Sequence, residues 1–138
     1  MKDLIDLLGR VLLSAIFIWD AFDRIRHFES TKVKMAEFGV TWNQDFLLYS
    51  TIIFVALGGI LLLIGYRTGL ASVLLLIYWI PFTFIVHPFW NYSGDFTQRI
   101  ESIEFMKNMA IAGGLFMVFA NGSGRYSIKR MLATTRVR

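Results

Sequence analysis

The chain has 138 residues, of which 56% are hydrophobic and 17% are charged, and its mean hydropathy is +0.56. Soluble domains carry about 25% charged residues, so the composition predicts a single-domain integral membrane protein and argues against a soluble one. The absence of cysteine excludes disulfides, thiolate metal sites and cysteine nucleophiles. The net charge of +4 lies mainly in the chain ends and loops, which indicates anionic lipid headgroups rather than nucleic acid as the partner.

Four apolar segments predict an all-α, integral membrane four-helix bundle. The predicted spans cover residues 4–22, 46–66, 70–88 and 103–120, and a basic tail follows at 121–138. Residues 70–86 contain no charged side chain in seventeen positions. At about 1.5 Å per helical residue, this stretch nearly crosses a hydrocarbon core of about 30 Å. The N-terminal stretch has no small-residue cleavage site, so the first span is expected to stay in the mature protein.

The connections between the spans differ in character. Residues 23–45 are charged and contain a helical-looking piece at 28–38, which we expect to be a short surface or re-entrant segment. Span two contains Gly58-Gly59, and small residues of this kind let neighbouring helices approach closely. Residues 91–102 are polar and contain Gly94-Asp95, which predicts a loop.

The distribution of lysine and arginine predicts the orientation in the membrane. Four spans place both termini on one side. The N-terminal flank, the short link after span two and the tail hold eight basic residues, against six in the other two loops. Five of the eight lie in the tail, so both termini are predicted to be cytoplasmic.

This topology brings several polar residues to the outer end of the bundle. An ionisable group at membrane depth normally faces the bundle interior and is paired, so Asp20 is expected to pair with Lys107, or Arg24 with Glu104. Two interpretations stay open: the pairs only lock the helices together, or they surround a small polar pocket rimmed by aromatic rings. The residues at helical spacing that support either one are Asp20, Asp23, Arg24, His27, Glu104, Lys107 and Asn108, with His87 and Asn91 at the end of span three.

Two further residues have alternative roles. His87 is either an interfacial histidine without a ligand or a group that exchanges a proton with a bound carbonyl or quinol, because an imidazole titrates near neutral pH. Axial ligation of a haem or pigment is a further alternative for His87, since it needs only one histidine. The sequence contains no zinc-binding histidine pattern, so no metal site is predicted. Arg10 is expected to be a structural anchor that pairs with Asp3 and Asp6. Its alternative partners are a backbone carbonyl, another helix or a lipid phosphate.

Several segments resemble the DoxX family of small four-helix membrane proteins, and together they cover nearly the whole chain. They are Gly9-Arg10 through Phe17, Gly58-Gly59 through Gly65, His87-Pro88-Phe89-Trp90, Asn108 through Gly113-Gly114-Leu115, and Asn121 through Ser127. The family includes the quinone-reacting membrane subunit of thiosulfate:quinone oxidoreductase and a membrane partner in thiol-redox stress complexes. The resemblance implies a bacterial inner-membrane protein that contacts lipids and belongs to a larger complex or a homo-oligomer.

The resemblance leaves two expectations for the function. The first is a small subunit or accessory of a quinone-linked or thiol-redox complex, without a covalently bound cofactor and with electrons supplied by a partner. In its enzyme form, His87 and Glu104 exchange protons with a quinone, and the pocket residues are Asp20, Arg24, Lys107, Asn108 and Trp90. The second is a non-catalytic module that binds a partner protein or lipid. It is favoured by Phe54-Val55-Ala56, where the family often has an acidic residue.

Overall fold

The computed structural model describes residues 1–124 and 126–128, and these residues form helices and turns without a strand. The all-α prediction is therefore confirmed. The elements are α1 (Lys2–Arg26), α2 (Phe28–Glu37), α3 (Gln44–Ile64), α4 (Thr68–Val86), a short 3-10 turn (Phe89–Asn91) and α5 (Asp95–Asn121).

Three helices of the described part are long and apolar enough to cross a membrane: α3, α4 extended through the 3-10 turn, and α5. Helix α1 has 25 residues, which is sufficient length, but Asp6, Arg10 and Asp20 interrupt its apolar sequence. A membrane crossing by α1, and with it the count of four spans, stays a prediction.

The predicted loop at 91–102 is only partly a loop, because α5 begins at Asp95. Gly94 has an extended backbone and precedes the first turn, where the carboxylate of Asp95 interacts favourably with the helix dipole. No glycine or proline follows until Gly113, so nothing in the backbone stops the helix from starting early. Polar composition alone therefore predicted the wrong boundary, and α5 has an additional N-terminal portion.

The predicted short segment after span one is confirmed as helix α2, in which no residue is fully buried. Its Phe28 ring lies 4.8 Å from the ring of Tyr49 on α3, measured between centroids, with the two planes tilted by 38°. Lys32 donates a hydrogen bond of 2.8 Å to Asp45 at the start of α3. Hydrogen bonds to Asp45 and Glu29 raise the pKa of Lys32 above its ordinary value.

The core lies where α1 packs on α3 and α4 packs on α5. Phe17, Val55, Leu75 and Leu115 are fully buried there, one from each long helix. The Gly58-Gly59 pair permits the close approach that the sequence predicts. A Cβ added to Gly59 would lie 3.2 Å from the Cβ of Phe17, and one added to Gly58 would collide with Leu75.

Candidate functional site

The polar residues of the bundle collect at its two ends. One end, called the His87 end, is where α1 and α4 finish and where α3 and α5 begin. The other, called the Arg10 end, is where α4 begins, where α3 and α5 finish, and where the first turns of α1 lie. Under the predicted topology, the His87 end faces outward and the Arg10 end faces the cytoplasm.

Arg24 at the His87 end pairs with a carboxylate of its own helix. Its Nε donates to Asp20 Oδ2 at 2.8 Å, and its Nη2 donates to Asp20 Oδ1 at 3.2 Å. The guanidinium also lies over the ring of Phe82 on α4, 5.0 Å from the centroid. The side chain of Arg24 is only 13% exposed. The i, i+4 spacing lets Asp20 reach Arg24 without a second helix, so the expected pairing of Arg24 with Glu104 is wrong.

Tyr78 on α4 completes this group, although the sequence analysis did not select it. Its ring stacks on that of Phe82 with centroids 5.5 Å apart. Its hydroxyl is shielded from solvent and has no hydrogen-bond partner among the described residues. The hydroxyl lies close enough to Arg24 for the two groups to interact electrostatically. The available signal was a tyrosine one turn before Phe82 in an otherwise uncharged span.

His87 pairs with a residue that was predicted to lie in a loop. Its Nδ1 is 2.8 Å from Oε2 of Glu101, and the two side chains are 19% and 23% exposed. Glu101 lies in the additional N-terminal portion of α5, so the error in the helix boundary concealed it. Its spacing of four residues from Phe105 was the signal that could have placed it on the inner side of a helix.

Four aromatic rings form a cluster from residues that are close in sequence to this pair. The ring of Phe105 is 5.1 Å from Phe84, 5.3 Å from Phe89 and 5.8 Å from Trp90, between centroids. His87 falls between Phe84 and Phe89 in the chain, and Glu101 is one helical turn from Phe105. Trp90 is half-exposed, so the cluster is open on one side.

The remaining predicted site residues lie elsewhere on α5. Glu104 and Lys107 form an ion pair with each other, and both side chains are substantially exposed. The expected pairing of Lys107 with Asp20 is therefore wrong, and Glu101 occupies the position next to His87 that was expected for Glu104. Asn108 is buried, and its backbone carbonyl accepts a hydrogen bond of 3.1 Å from Trp79 Nε1.

The single pocket that the sequence suggested is thus divided into two clusters. The Arg24 cluster consists of Asp20, Arg24, Tyr78 and Phe82, and the His87 cluster of His87, Glu101 and the four aromatic rings. Successive helical residues turn by about 100°, so Phe82 and Phe84 point to nearly opposite sides of α4. Within the described residues, no group of three or more histidine or acidic side chains is placed to hold a metal ion.

Arg10 is buried at the opposite end, with 1% of its side chain exposed. Its Nε donates to Asp6 at 3.2 Å, and Nη1 donates to the carbonyl of Leu62 at 3.3 Å. Nη2 donates to the carbonyl of Tyr126, and Asp6 accepts a further hydrogen bond of 3.1 Å from the amide of Gly124. The predicted Asp6 partner and the alternative of a backbone carbonyl are both observed, so Arg10 ties α1 to the end of α3 and to the segment after α5.

Comparison with known proteins gives the context for these sites. The DoxX family model matches residues 5–88. The chain is 28% identical to the Inner membrane protein YqjF of Escherichia coli (strain K12) over 132 residues, which cover 96% of this chain and 95% of that protein. It is 28% identical to the Inner membrane protein YphA of the same organism over 124 residues, covering 90% and 87%.

A more distant similarity links the chain to the ER-derived vesicles protein ERV29 of Saccharomyces cerevisiae, with 30% identity over 78 residues, which are 56% of this chain and 25% of that protein. No solved structure matches the chain significantly. The family match covers more than half of the chain, and the two bacterial relatives align with it almost from end to end. With its apolar helices, the chain therefore belongs to the DoxX family and is a multi-pass protein of the bacterial inner membrane.

Proposed function

We propose that this protein is a small subunit or accessory of a membrane redox complex, quinone-linked or thiol-linked, and that in the quinone-linked case His87 and Glu101 exchange protons with a quinone headgroup. The observation that carries the proposal is the His87–Glu101 pair, 2.8 Å apart and partly exposed. Glu101 takes the role that the sequence suggested for Glu104, because Glu101 is the residue in contact with His87.

A histidine–carboxylate pair can supply and accept the protons that quinone chemistry uses. Reduction of a quinone to a quinol consumes two electrons and two protons, and oxidation releases them. When Nδ1 of His87 is hydrogen-bonded to Glu101, Nε2 is the imidazole atom left to face a ligand. A proton can then pass between the ligand oxygen and the imidazole while the carboxylate stabilises the charged form.

The surroundings of the pair suit a flat, apolar ligand. The rings of Phe84, Phe89, Trp90 and Phe105 offer faces and edges against which a quinone ring can stack. The electrons come from a partner protein in this proposal. Iron–sulfur clusters are held by cysteine thiolates, and this sequence has no cysteine. For the same reason, thiol chemistry in a thiol-redox complex would belong to the partner.

Purification in mild detergent, followed by mass spectrometry of extracted quinone and co-purifying proteins, tests the proposal. We expect the wild type to retain quinone, and His87→Gln and Glu101→Gln each to retain clearly less at an equal yield of folded protein. The matched controls are His27→Gln and Asp23→Asn. They alter a second histidine–carboxylate pair, 3.1 Å apart, whose side chains are 60% and 56% exposed. Equal quinone in all five proteins, or none in the wild type, would contradict the quinone-linked role.

A second candidate is a non-catalytic module that stabilises a larger assembly. It is favoured by the ion pairs Asp20–Arg24 and Glu104–Lys107, in which each charge is balanced within its own helix. The same purification distinguishes the two candidates. Defined partner proteins that co-purify without quinone, and that remain bound to the His87→Gln variant, would favour the module.

A further inference from the structure

Tyr78 presents a buried hydroxyl that no role described above uses. The oxygen is shielded from solvent, and its O–H proton has no acceptor in the described part of the chain. The Arg24 guanidinium beside it can only donate a hydrogen bond to the oxygen. Buried polar groups in native proteins are nearly always hydrogen-bonded, and an exception calls for an explanation such as a catalytic role or a bound water, ion or ligand. Replacing the hydroxyl by hydrogen would keep the ring and its stacking on Phe82, so packing alone does not account for a tyrosine here.

The neighbouring guanidinium also has unused hydrogen-bonding capacity. A guanidinium carries five N–H donors. Asp20 accepts from Nε and Nη2 of Arg24, and no acceptor among the described residues lies within hydrogen-bond distance of the Nη1 donors. Arg24 and Tyr78 are close enough to interact electrostatically, so donors from two helices converge at one place.

We infer that Arg24 and Tyr78 form a binding site for an oxygen acceptor at the polar end of an amphipathic molecule that has no net charge. The charge of Arg24 is already balanced by Asp20 at 2.8 Å. An anionic ligand would therefore add an uncompensated negative charge in a region of low dielectric constant, which is unfavourable. The ligand must therefore offer an oxygen acceptor and carry no net charge. The carbonyl of a neutral molecule meets these two conditions, and so does the phosphate oxygen of a zwitterionic headgroup.

The position of the site provides a route from the lipid. Trp19 and Phe22 flank Asp20 on α1, and both are largely exposed, so apolar surface leads to the polar group. The Arg24 side chain is 13% exposed and that of Asp20 is 24% exposed, so the polar group is reached from the surface of the bundle. The molecule is a zwitterionic phospholipid or a quinone. The site lies on the other side of α4 from the His87 cluster, so the inference is independent of the proposed proton exchange.

Thermal unfolding of the delipidated protein in detergent measures binding to this site. Phosphatidylethanolamine, phosphatidylglycerol and a short-chain ubiquinone are added separately, and the shift in Tm is recorded against concentration. We expect phosphatidylethanolamine or the quinone to raise Tm, which identifies the source of the acceptor. No shift with either, or an equal shift with the anionic phosphatidylglycerol, would overturn the inference.

Tyr78→Phe provides the decisive variant, because it removes only the hydroxyl. Without ligand its Tm should equal or exceed that of the wild type, since the O–H proton has no acceptor among the described residues and Arg24 keeps its bonds to Asp20. Its affinity for the stabilising molecule should fall about fivefold, the change expected from one neutral hydrogen bond. The control is Tyr49→Phe, which removes an exposed tyrosine hydroxyl from α3. A lower Tm of Tyr78→Phe without ligand, or an unchanged affinity, would show that the hydroxyl serves the fold and not a ligand.

Discussion

Helix α1 contains the same local arrangement twice, and the two copies have different consequences. Arg10 pairs with Asp6 and Arg24 pairs with Asp20, in each case with the carboxylate four residues before the arginine. Arg10 also donates hydrogen bonds to the backbone carbonyls of Leu62 and Tyr126, which are distant in the sequence. Arg24 lies over the ring of Phe82 and beside the Tyr78 hydroxyl, whose proton has no acceptor among the described residues. The Arg10 pair therefore holds separate segments of the chain together through backbone hydrogen bonds. The Arg24 pair is surrounded by side chains and keeps hydrogen-bond donors that a ligand can use.

The side of the membrane on which each of the two ion pairs lies can be tested with an all-or-none outcome. Both termini are predicted to be cytoplasmic, which would place the Arg10 copy inside and the Arg24 copy outside. A reporter fused after Arg138 that is active only in the cytoplasm should give full signal, and its periplasmic counterpart none. Periplasmic activity would reverse the assignment of the two ends.

Removal of Arg10 should have the largest effect on stability. Arg10→Ala leaves Asp6 without its cation and takes a donor from the carbonyls of Leu62 and Tyr126. Breaking a buried pair in this way costs about 3–5 kcal/mol, so little folded protein should be recovered from the membrane. The control is Arg26→Ala, which removes an exposed arginine from the same helix. A normal yield of folded Arg10→Ala protein, combined with loss of the cellular activity that depends on the protein, would show that Arg10 is not mainly structural.

The substitution Gly65→Ala should disturb the Arg10–Asp6 pair without changing either residue of the pair. Gly65 has φ +72°, and an added Cβ would collide with Arg10 Nη1 and Ser127. Left-handed backbone and overpacking each cost about 1–3 kcal/mol, so the Tm of Gly65→Ala in detergent should fall clearly. Gly113→Ala is the control, because its Cβ would meet nothing within 4 Å and helical alanine is favourable. Equal Tm values for the two variants would mean that this end is not tightly packed.

The two carboxylates provide the direct comparison. Asp6→Asn weakens the bond to Arg10 and alters the acceptor for the Gly124 amide, so a loss of about 2 kcal/mol is expected. Asp20→Asn affects a pair within one helix that is more exposed, and the loss should be about 1 kcal/mol. Denaturant or thermal unfolding in detergent measures both. A larger loss for Asp20→Asn would reverse the roles of the two ends.

The smallest loss of stability is expected for the exposed Glu104–Lys107 pair on α5. Glu104→Gln and Glu104→Ala should each change the free energy of unfolding by less than about 0.5 kcal/mol, because exposed ion pairs contribute little. The glutamine variant keeps the shape of the side chain and should be the milder of the two. A loss comparable to that of Asp6→Asn would show that Glu104 has a buried partner in the membrane.

Hydropathy and spacing predicted the helices and the partner of Arg10, but not the division of the polar pocket. A run of apolar residues determines where a helix lies, and the four-residue interval between Asp6 and Arg10 determines that they meet. The same interval between Asp20 and Arg24 was available, yet burial of charge suggested partners on another helix. Local pairing is favoured because it orders only one helix.

Residues that pair between elements were the ones that sequence reasoning missed. Glu101 was hidden by a helix boundary that polar composition placed too late. Tyr78 was hidden because a single hydroxyl hardly changes the hydropathy of a span. The carbonyl of Tyr126 could not be found at all, since backbone groups are the same at every position. Functions carried by helix orientation and by backbone atoms therefore need a structure.

The bonds at the Arg10 end have a consequence for biogenesis. Arg10 and Tyr126 are 116 positions apart, and Asp6 and Gly124 are 118 apart, so these bonds can form only after α5 has been synthesised. Until then, the partners of Arg10 are Asp6 and, once α3 is in place, the carbonyl of Leu62. An arginine within the apolar region of a bilayer is unfavourable unless it is paired. A nascent chain that stops before Gly124 contains every apolar helix but lacks this closure. Synthesis of the segment that contains Gly124 and Tyr126, rather than insertion of the last apolar helix, is thus the step that completes the hydrogen bonds of Arg10 and Asp6.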